Sequence, residues 1–363
     1  MKFMANRADL LAALARVQPG LATTDIFEQS SSYVFSDGWL ATFNGEVACR
    51  TKTELPRDLS GAVRAKPLYA MLDRTPDPEV TVTVGGGEFR VHGAASDTRA
   101  GVRMEAEILL PIDEVETPAE WYMLPDDFGP ALKLVASTCG KSDEDFITAC
   151  VHVHPDYLES CDRFRATRYE LSTGVSRSFL CRAKALKQVV PMDMTKIGET
   201  DNWVHFRNKQ VIFSCRRYVE EFPDMSGFLE FRGTPVTLPK GAEVAAKVAG
   251  AFSEHDRDDN KVTVTLEDDR MWVRGDGAFG WAERPLPVTY RGDPLAFRIA
   301  TDALIELVKA HDRCEVGPGR LRVDGERWVY IAALGKPGRT ADAPPTTEPD
   351  AADSGTHERE GDW

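Results

Sequence analysis

The sequence predicts an α+β protein in which one unit of helix, strands, helix and strands occurs three times. Amphipathic stretches of helical period recur, and the second helices of successive units start 116 and then 120 residues apart. Segments of alternating polarity follow each helix, and turn residues divide them into hairpins. Strands joined by tight turns are antiparallel and two helices cover one sheet face, so each unit is expected to form an antiparallel sheet with helices on one side.

The first helix of each unit is predicted from apolar residues at helical spacing, at residues 7–17, 126–138 and 240–252. Asn6 supplies an N-cap in the first copy, and Pro125 and Pro239 precede the helices of the other two. Strand-like segments follow at residues 31–52, 147–171 and 261–286.

A second helix is predicted in each unit, at residues 66–74, 182–190 and 302–311, and each is followed by a further hairpin. These units give three expected domains, at residues 1–120, 121–233 and 234–335. Residues 336–363 are rich in Pro, Thr, Asp and Glu. Such a segment buries too little apolar surface to offset the entropy lost on ordering, so we expect a disordered acidic tail.

The overall composition is that of a folded globular protein, with 42% hydrophobic and 28% charged residues among 363. No apolar run approaches the roughly 18 residues of a membrane helix, and Arg7 and Asp9 interrupt the stretch that resembles a signal peptide, so a cytoplasmic protein without a membrane partner is expected. Seven cysteines without a C-x-x-C pair predict reduced, buried thiols rather than disulfides or a structural zinc site.

Two motifs invite a catalytic or cofactor interpretation. Gly275 to Gly280 match G-x-G-x-x-G, but the Trp281 and prolines that follow cannot open the helix that a dinucleotide pyrophosphate requires, so no cofactor is expected. His152 and His154 share one strand face, as metal ligands do in some hydrolases, but no later histidine repeats that context. We therefore interpret the two histidines as part of a solvent-facing strand edge that binds no metal. A metal-dependent hydrolase centred on His152 and His154 is kept as the alternative function.

Basic residues recur on the predicted helices, while acidic ones mostly lie in loops. The formal net charge of −14 argues against a nucleic-acid partner, but a net sum conceals a basic face. A shared basic surface across equivalent helices is expected from Arg7, Arg16, Lys66, Arg74, Lys133, Lys141, Arg182, Lys184, Lys187, Lys240, Lys247, Lys309 and Arg313.

Residues 1–335 resemble the bacterial-type sliding clamp, the beta subunit of DNA polymerase III. The resemblance rests on the order and spacing of short motifs: an opening Met1-Lys2-Phe3 before a helix, the run from Asp162 to Ala166, Phe222-Pro223-Asp224, Tyr290-Arg291-Gly292, and a final strand at Trp328 to Ile331.

The resemblance implies a non-enzymatic processivity factor. Two chains would close head to tail into a ring, with sheets outside and twelve helices lining a hole through which double-stranded DNA passes. It further implies a DNA polymerase and a clamp loader as partners, and a homodimer in which Val102 and Met104 meet Ala251 and Phe252 of the second copy. A scaffold that keeps the fold without encircling DNA remains a further hypothesis.

The resemblance also implies a groove that receives a peptide from the polymerase. The expected groove residues are Phe164, Arg165, Ala166, Leu229, Ile331, Ala332 and Ala333. Phe164 replaces an imidazole of the family and Ala332 a proline, and the residues beyond Gly335 have no counterpart in the ordinary bacterial clamp. These departures suggest a divergent clamp, such as one encoded by a phage, with changed peptide specificity.

Overall fold

The computed structural model describes residues 1–140, 145–253 and 260–337. Lys141 and nearly all of the predicted tail therefore lie outside the described residues. The α-helices within them are α1 (Arg7–Val17), α2 (Ala65–Arg74), α3 (Phe128–Val135), α4 (Ala183–Leu186), α5 (Ser226–Leu229), α6 (Ala242–Ser253) and α7 (Thr301–Ala310). Short 3-10 helices lie at Gln18–Gly20, Ile112–Glu114, Ala136–Thr138 and Lys187–Met192.

Helix α1 has its predicted bounds, and the Asn6 side chain accepts from the backbone N–H groups of Ala8 (2.9 Å) and Asp9 (3.2 Å). The helix predicted at 182–190 is wrong in type, because only one α-turn forms before the chain tightens into a 3-10 helix. Pro191 lies in that segment; it has no N–H, and its ring would clash with the Lys187 carbonyl in a continued α-helix.

The described strands, numbered in chain order, begin with β1 (Lys2–Asn6), β2 (Ser32–Ser36), β3 (Trp39–Phe43), β4 (Val47–Lys52), β5 (Gly61–Arg64), β6 (Glu79–Gly85), β7 (Glu88–Gly93), β8 (Thr98–Glu105), β9 (Tyr122–Met123), β10 (Cys150–His154), β11 (Tyr157–Cys161), β12 (Arg165–Glu170), β13 (Phe179–Arg182), β14 (Lys196–Glu199), β15 (Trp203–Arg207) and β16 (Val211–Arg216). They continue with β17 (Thr234–Thr237), β18 (Lys261–Glu267), β19 (Arg270–Gly277), β20 (Gly280–Pro287), β21 (Thr289–Tyr290), β22 (Leu295–Ala300), β23 (Arg313–Gly317), β24 (Arg320–Asp324) and β25 (Trp328–Ala333).

The chain divides into two compact units. The first comprises residues 1–236 and 313–333. One of its sheets has the strand order β1-β6-β7-β8-β5-β2-β3-β4-β16-β15-β14-β9, and another contains β13-β10-β11-β12-β25-β24-β23 in that order. The pairings within them are antiparallel, including β4 with β16 (Cys49 opposite Phe213) and β12 with β25 (Ala166 opposite Ile331).

The core of the first unit contains the apolar faces of its helices. Leu14 of α1, Leu68 of α2 and Leu132 of α3 are fully buried among aromatic side chains of the sheets such as Phe213. All seven cysteines are free and buried and lie in this unit, which confirms the prediction of buried thiols.

The second unit comprises residues 237–312 together with the chain from Leu334 onward. Its sheet has the order β20-β19-β18-β22, with α6 and α7 packed together. A Cβ on Gly275 would collide with the Ala249 carbonyl oxygen, and one on Gly277 with that of Phe252. These glycines of the G-x-G-x-x-G motif thus let the last turns of α6 approach β19, which explains the motif by packing.

The α+β class with antiparallel sheets is confirmed. The three-domain division remains a prediction, since the compact units follow a different partition of the chain.

Candidate functional site

The basic residues predicted to share a surface are mostly exposed. Their positions correct the sequence analysis in three places, because Lys240 lies in the turn before α6, Arg182 ends β13 and Arg313 opens β23, so none of the three lies on a helix. The exposed residues of this set are Lys66, Arg74, Lys133, Lys184, Lys187, Lys240, Lys247, Lys309 and Arg313, and the half-buried ones are Arg7, Arg16 and Arg182.

Two of the half-buried arginines have structural partners. The Arg7 guanidinium donates to the Asp77 and Leu72 carbonyl oxygens (3.0 and 3.3 Å), which satisfies the end of α2. Arg182 lies over the Phe146 ring at 4.9 Å, with its Nε 3.9 Å from a Glu46 carboxylate oxygen. Both side chains therefore hold the fold together as well as adding positive charge.

Helices α3 and α4, with the 3-10 turn after α4, carry exposed basic side chains, as α2 does with Lys66 and Arg74. Lys133, Lys184 and Lys187 are exposed, and none has a carboxylate within ion-pairing distance in the described parts of the chain. In the second unit, by contrast, one Glu243 carboxylate oxygen lies 2.6 Å from Lys247 Nζ and 3.4 Å from Lys309 Nζ. The second unit therefore presents less free positive charge on its helices.

The residues predicted at a dimer interface differ in accessibility. Val102 is half-buried on β8, whereas the neighbouring Met104 packs into the core of the first unit. β8 pairs with β7 through residues 98–103, while its pairing with β5 involves only Met104 and Glu105. Among the described residues, the first part of β8 thus has one edge without a partner strand, and that edge can receive a strand from another chain.

An exposed aromatic cluster lies on the second unit. Phe279 is 85% exposed, Trp281 59% and Phe252 37%. The Phe252 ring lies against Gly280, at the turn between β19 and β20, and β20 is an edge strand of its sheet. Sequence reasoning found Phe252 but missed Phe279 and Trp281, because both fall in or beside a motif that was judged only for nucleotide binding.

The residues predicted to form the peptide groove come together in the first unit. Ala166 lies opposite Ile331 and Arg165 opposite Ala332, while the Ala333 N–H donates to the Phe164 carbonyl oxygen at 2.6 Å. Only Phe164 is strongly exposed, at 53%. The buried members are Ala166, Leu229, Ile331 and Ala332.

A side-chain turn orients the exposed end of this surface. One Asp162 carboxylate oxygen accepts from the backbone N–H groups of Phe164 and Arg165, at 2.7 Å each, and the other accepts from the Arg165 guanidinium at 2.9 Å. The hairpin between β11 and β12 is therefore held in a shape that points Phe164 to solvent.

The two histidines of the hydrolase alternative have non-metal partners. His152 Nδ1 lies 2.7 Å from Glu159 Oε1, and the other Glu159 oxygen accepts from Arg168 Nε at 2.9 Å. The His154 ring stacks on Tyr157 with centroids 4.1 Å apart. No group of three or more His, Cys, Asp or Glu side chains suited to a metal ion occurs among the described residues, so nothing here favours the alternative.

Comparison with known proteins gives one kind of match. No protein-family model and no curated protein sequence matches the chain. Solved structures do match, among them a DNA polymerase III beta chain from Streptococcus pneumoniae, with a TM-score of 0.81 at 13% identity over 93% of this chain and 100% of that one. The chain has the fold of a sliding clamp.

Two further sliding-clamp structures agree. The beta subunit of Thermotoga maritima gives a TM-score of 0.78 at 16% identity, over 93% of this chain and the whole of that one. The sliding clamp of Pseudomonas aeruginosa, solved with griselimycin, gives 0.80 at 14% identity over 93% and 99%. Membrane-spanning helices are not found in the described parts of this sliding-clamp fold.

Proposed function

We propose that this protein is a DNA sliding clamp, a ring that encircles duplex DNA and tethers a replicative polymerase without catalysing a reaction. The single observation that carries the proposal is the match of almost the entire chain to beta-subunit structures, at TM-scores of 0.77 to 0.81. The exposed lysines of α3, α4 and the following turn support it, because positive side chains without base-reading groups favour loose contact with phosphates.

In the proposed ring the three predicted domains of each chain contribute helices to the lining. Lys133, Lys184 and Lys187 would contact phosphates through solvent-screened attraction, so the DNA stays mobile. The net charge of −14 would then keep DNA away from other surfaces of this cytoplasmic protein. Loading onto closed DNA requires a clamp loader, the second expected partner.

We propose a head-to-tail homodimer for closing the ring. The free edge of β8 near Val102 would pair with the edge strand β20 of a second copy, and Phe252, Phe279 and Trp281 would become buried there. Exposed aromatic residues beside an unpaired strand edge support this pairing, since both features are costly to leave in water. The interface is heterologous, since it joins two different surfaces of the chain. Copies therefore form a closed ring only if repeating the rotation that relates neighbouring copies brings the last copy back to the first.

We propose that the polymerase binds to the surface around Phe164, which also includes Arg165, Ala333 and the buried residues beneath them. Exposure of one aromatic ring above a small apolar floor favours a peptide that brings an apolar anchor. Titrating a peptide from the cognate polymerase against wild type and Phe164→Ser tests this, with weaker binding expected for the variant and an unchanged dimer as the control.

The clamp proposal is tested by topology. The protein is placed on nicked circular plasmid with the clamp loader of its own replisome, and the same plasmid is then linearised. We expect retention on the circle through gel filtration and loss from the linear form, because a ring slides off a free end. Equal retention on both forms would contradict encirclement and favour a scaffold.

A further inference from the structure

Residues 219–231, between β16 and β17, lie over the surface proposed for the polymerase. A buried apolar set there consists of Cys161, Ala166, Leu229 and Ile331. The side chains packed against it are Phe222, Met225, Phe228, Phe231 and Val329, four of which belong to the 219–231 segment itself. The chain therefore covers its own apolar floor.

The second half of this segment is firmly fastened. The buried Arg322 donates from Nη1 to the Leu229 and Phe231 carbonyl oxygens at the end of α5, and its Nε and Nη2 bond Asp324 at 2.8 and 2.5 Å. Arg320 lies over the Phe228 ring at 5.0 Å. Charge-assisted bonds to helix-end carbonyls fix α5 on β24.

The first half is held more weakly. Its main contact is the Phe222 ring stacked on His152, with centroids 4.9 Å apart and planes 22° apart. Val219, Glu221 and Asp224 are exposed. Among the described residues, no backbone hydrogen bond joins residues 219–224 to a neighbouring strand, whereas Tyr218 just before them pairs with Leu180 in both directions. Segments with few such bonds open at low cost.

We propose that residues 219–225 form a flap that opens between Tyr218 and α5 and uncovers a trough floored by Cys161 and Ala166. A partner's aromatic anchor occupies this trough in place of Phe222, whose own stacking on His152 shows the chemistry that fits. The inference deepens the proposed function, on which the identity of the partner rests. The opening itself needs neither DNA nor polymerase, so it can be tested separately.

The test is thiol labelling of the full-length protein, with each cysteine followed by peptide mass mapping. In wild type Cys161 should label slowly, because burial raises its pKa to about 11 and excludes the reagent. Phe222→Ala should raise the Cys161 rate about tenfold by removing the aromatic contact that closes the flap. Val219→Ala, at an exposed position of the same segment, is the matched control and should leave the rate unchanged.

Cys215, fully buried in the core, reports global unfolding in the same samples. Phe222→Leu is measured in parallel, since it keeps apolar volume and loses the ring stack. If Phe222→Ala also raises the labelling rate of Cys215, which would indicate global unfolding, the Cys161 rate of Phe222→Leu is the one that tests the flap. A Cys161 rate that stays at the wild-type value in both variants overturns the flap.

A second measurement tests the trough without an identified partner. A peptide with the sequence of residues 219–225 (VEEFPDM) is added to the Phe222→Ala protein, and the same peptide with alanine in place of phenylalanine is the control. The first should slow Cys161 labelling and the second should not. Equal effects of the two peptides would overturn the trough as an aromatic anchor site, whatever the outcome of the plasmid experiment.

Discussion

Replacing Glu243 by glutamine should strengthen DNA binding. This one carboxylate engages two of the predicted DNA-lining lysines, at 2.6 Å from Lys247 Nζ and 3.4 Å from Lys309 Nζ. The hydrogen bond from Lys247 lowers the pKa of Glu243, against a smaller opposing effect of desolvation, so the carboxylate is ionised at neutral pH and neutralises positive charge on the helices. Glu243→Gln keeps the side-chain shape and releases both ammonium groups.

The magnitude follows from counting the lysines released. Each additional phosphate contact steepens the log-log dependence of affinity on salt by about 0.9, so two lysines give at most about 1.8 per chain. With a slope change of about 1.8, the ratio of the Glu243→Gln affinity to the wild-type affinity should be roughly twelvefold larger at 50 mM salt than at 200 mM salt. The gain should be largest at low salt.

The assay is equilibrium fluorescence anisotropy with a labelled duplex over a series of salt concentrations. Glu326→Gln is the matched control, because it makes the same charge change at an exposed residue of the hairpin between β24 and β25. Identical salt slopes for wild type and Glu243→Gln would refute the placement of Lys247 and Lys309 on the DNA surface. A steeper slope in the Glu326 variant would instead attribute the effect to net charge.

Three further perturbations have defined outcomes. Phe252→Ala should weaken self-association by about 2 kcal/mol, measured by sedimentation equilibrium, and a wild type that is monomeric at micromolar concentration would contradict the interface. Gly275→Ala should destabilise the fold by roughly 1 to 3 kcal/mol in urea unfolding, because its Cβ meets the Ala249 carbonyl, and an unchanged midpoint would show that α6 moves freely. Burial lowers the pKa of His205 to about 4, so the unfolded chain takes up its proton below about pH 6.5 while the native one does not. Stability is therefore complete above that pH and should fall by about 3 kcal/mol as the pH drops to 4, a slope that His205→Gln should reduce.

Local signals in the sequence located most helices. The Asn6 cap and the apolar spacing fixed α1 at both ends, and the helices predicted at 66–74 and 302–311 begin and end within one residue of α2 and α7. Errors arose where one residue outweighs periodicity: Pro191 in the segment after α4, and Gly241, in the left-handed region just before α6.

The candidate sites were harder to predict because they depend on residues far apart in the chain. The Phe252 ring reaches Gly280, between Phe279 and Trp281, only once β19 and β20 fold against α6. Arg322 reaches the carbonyl oxygens of α5 from 93 positions later in the chain. No spacing rule connects such positions, so sequence patterns gave the basic helices but missed the arginines that fasten the 219–231 segment.

The pairing of β12 with β25 has a consequence for biosynthesis. Residues 165–169 lie beside residues 328–332, and residues 237–312 of the second unit intervene between them in the chain. During translation the edge of β12 stays uncovered until nearly all of the protein has left the ribosome. Long-range pairing of this kind folds slowly, and open strand edges attract other chains. A nascent or prematurely terminated product ending before Arg313 should therefore aggregate or recruit chaperones, whereas release of the final strand closes the sheet within a single molecule.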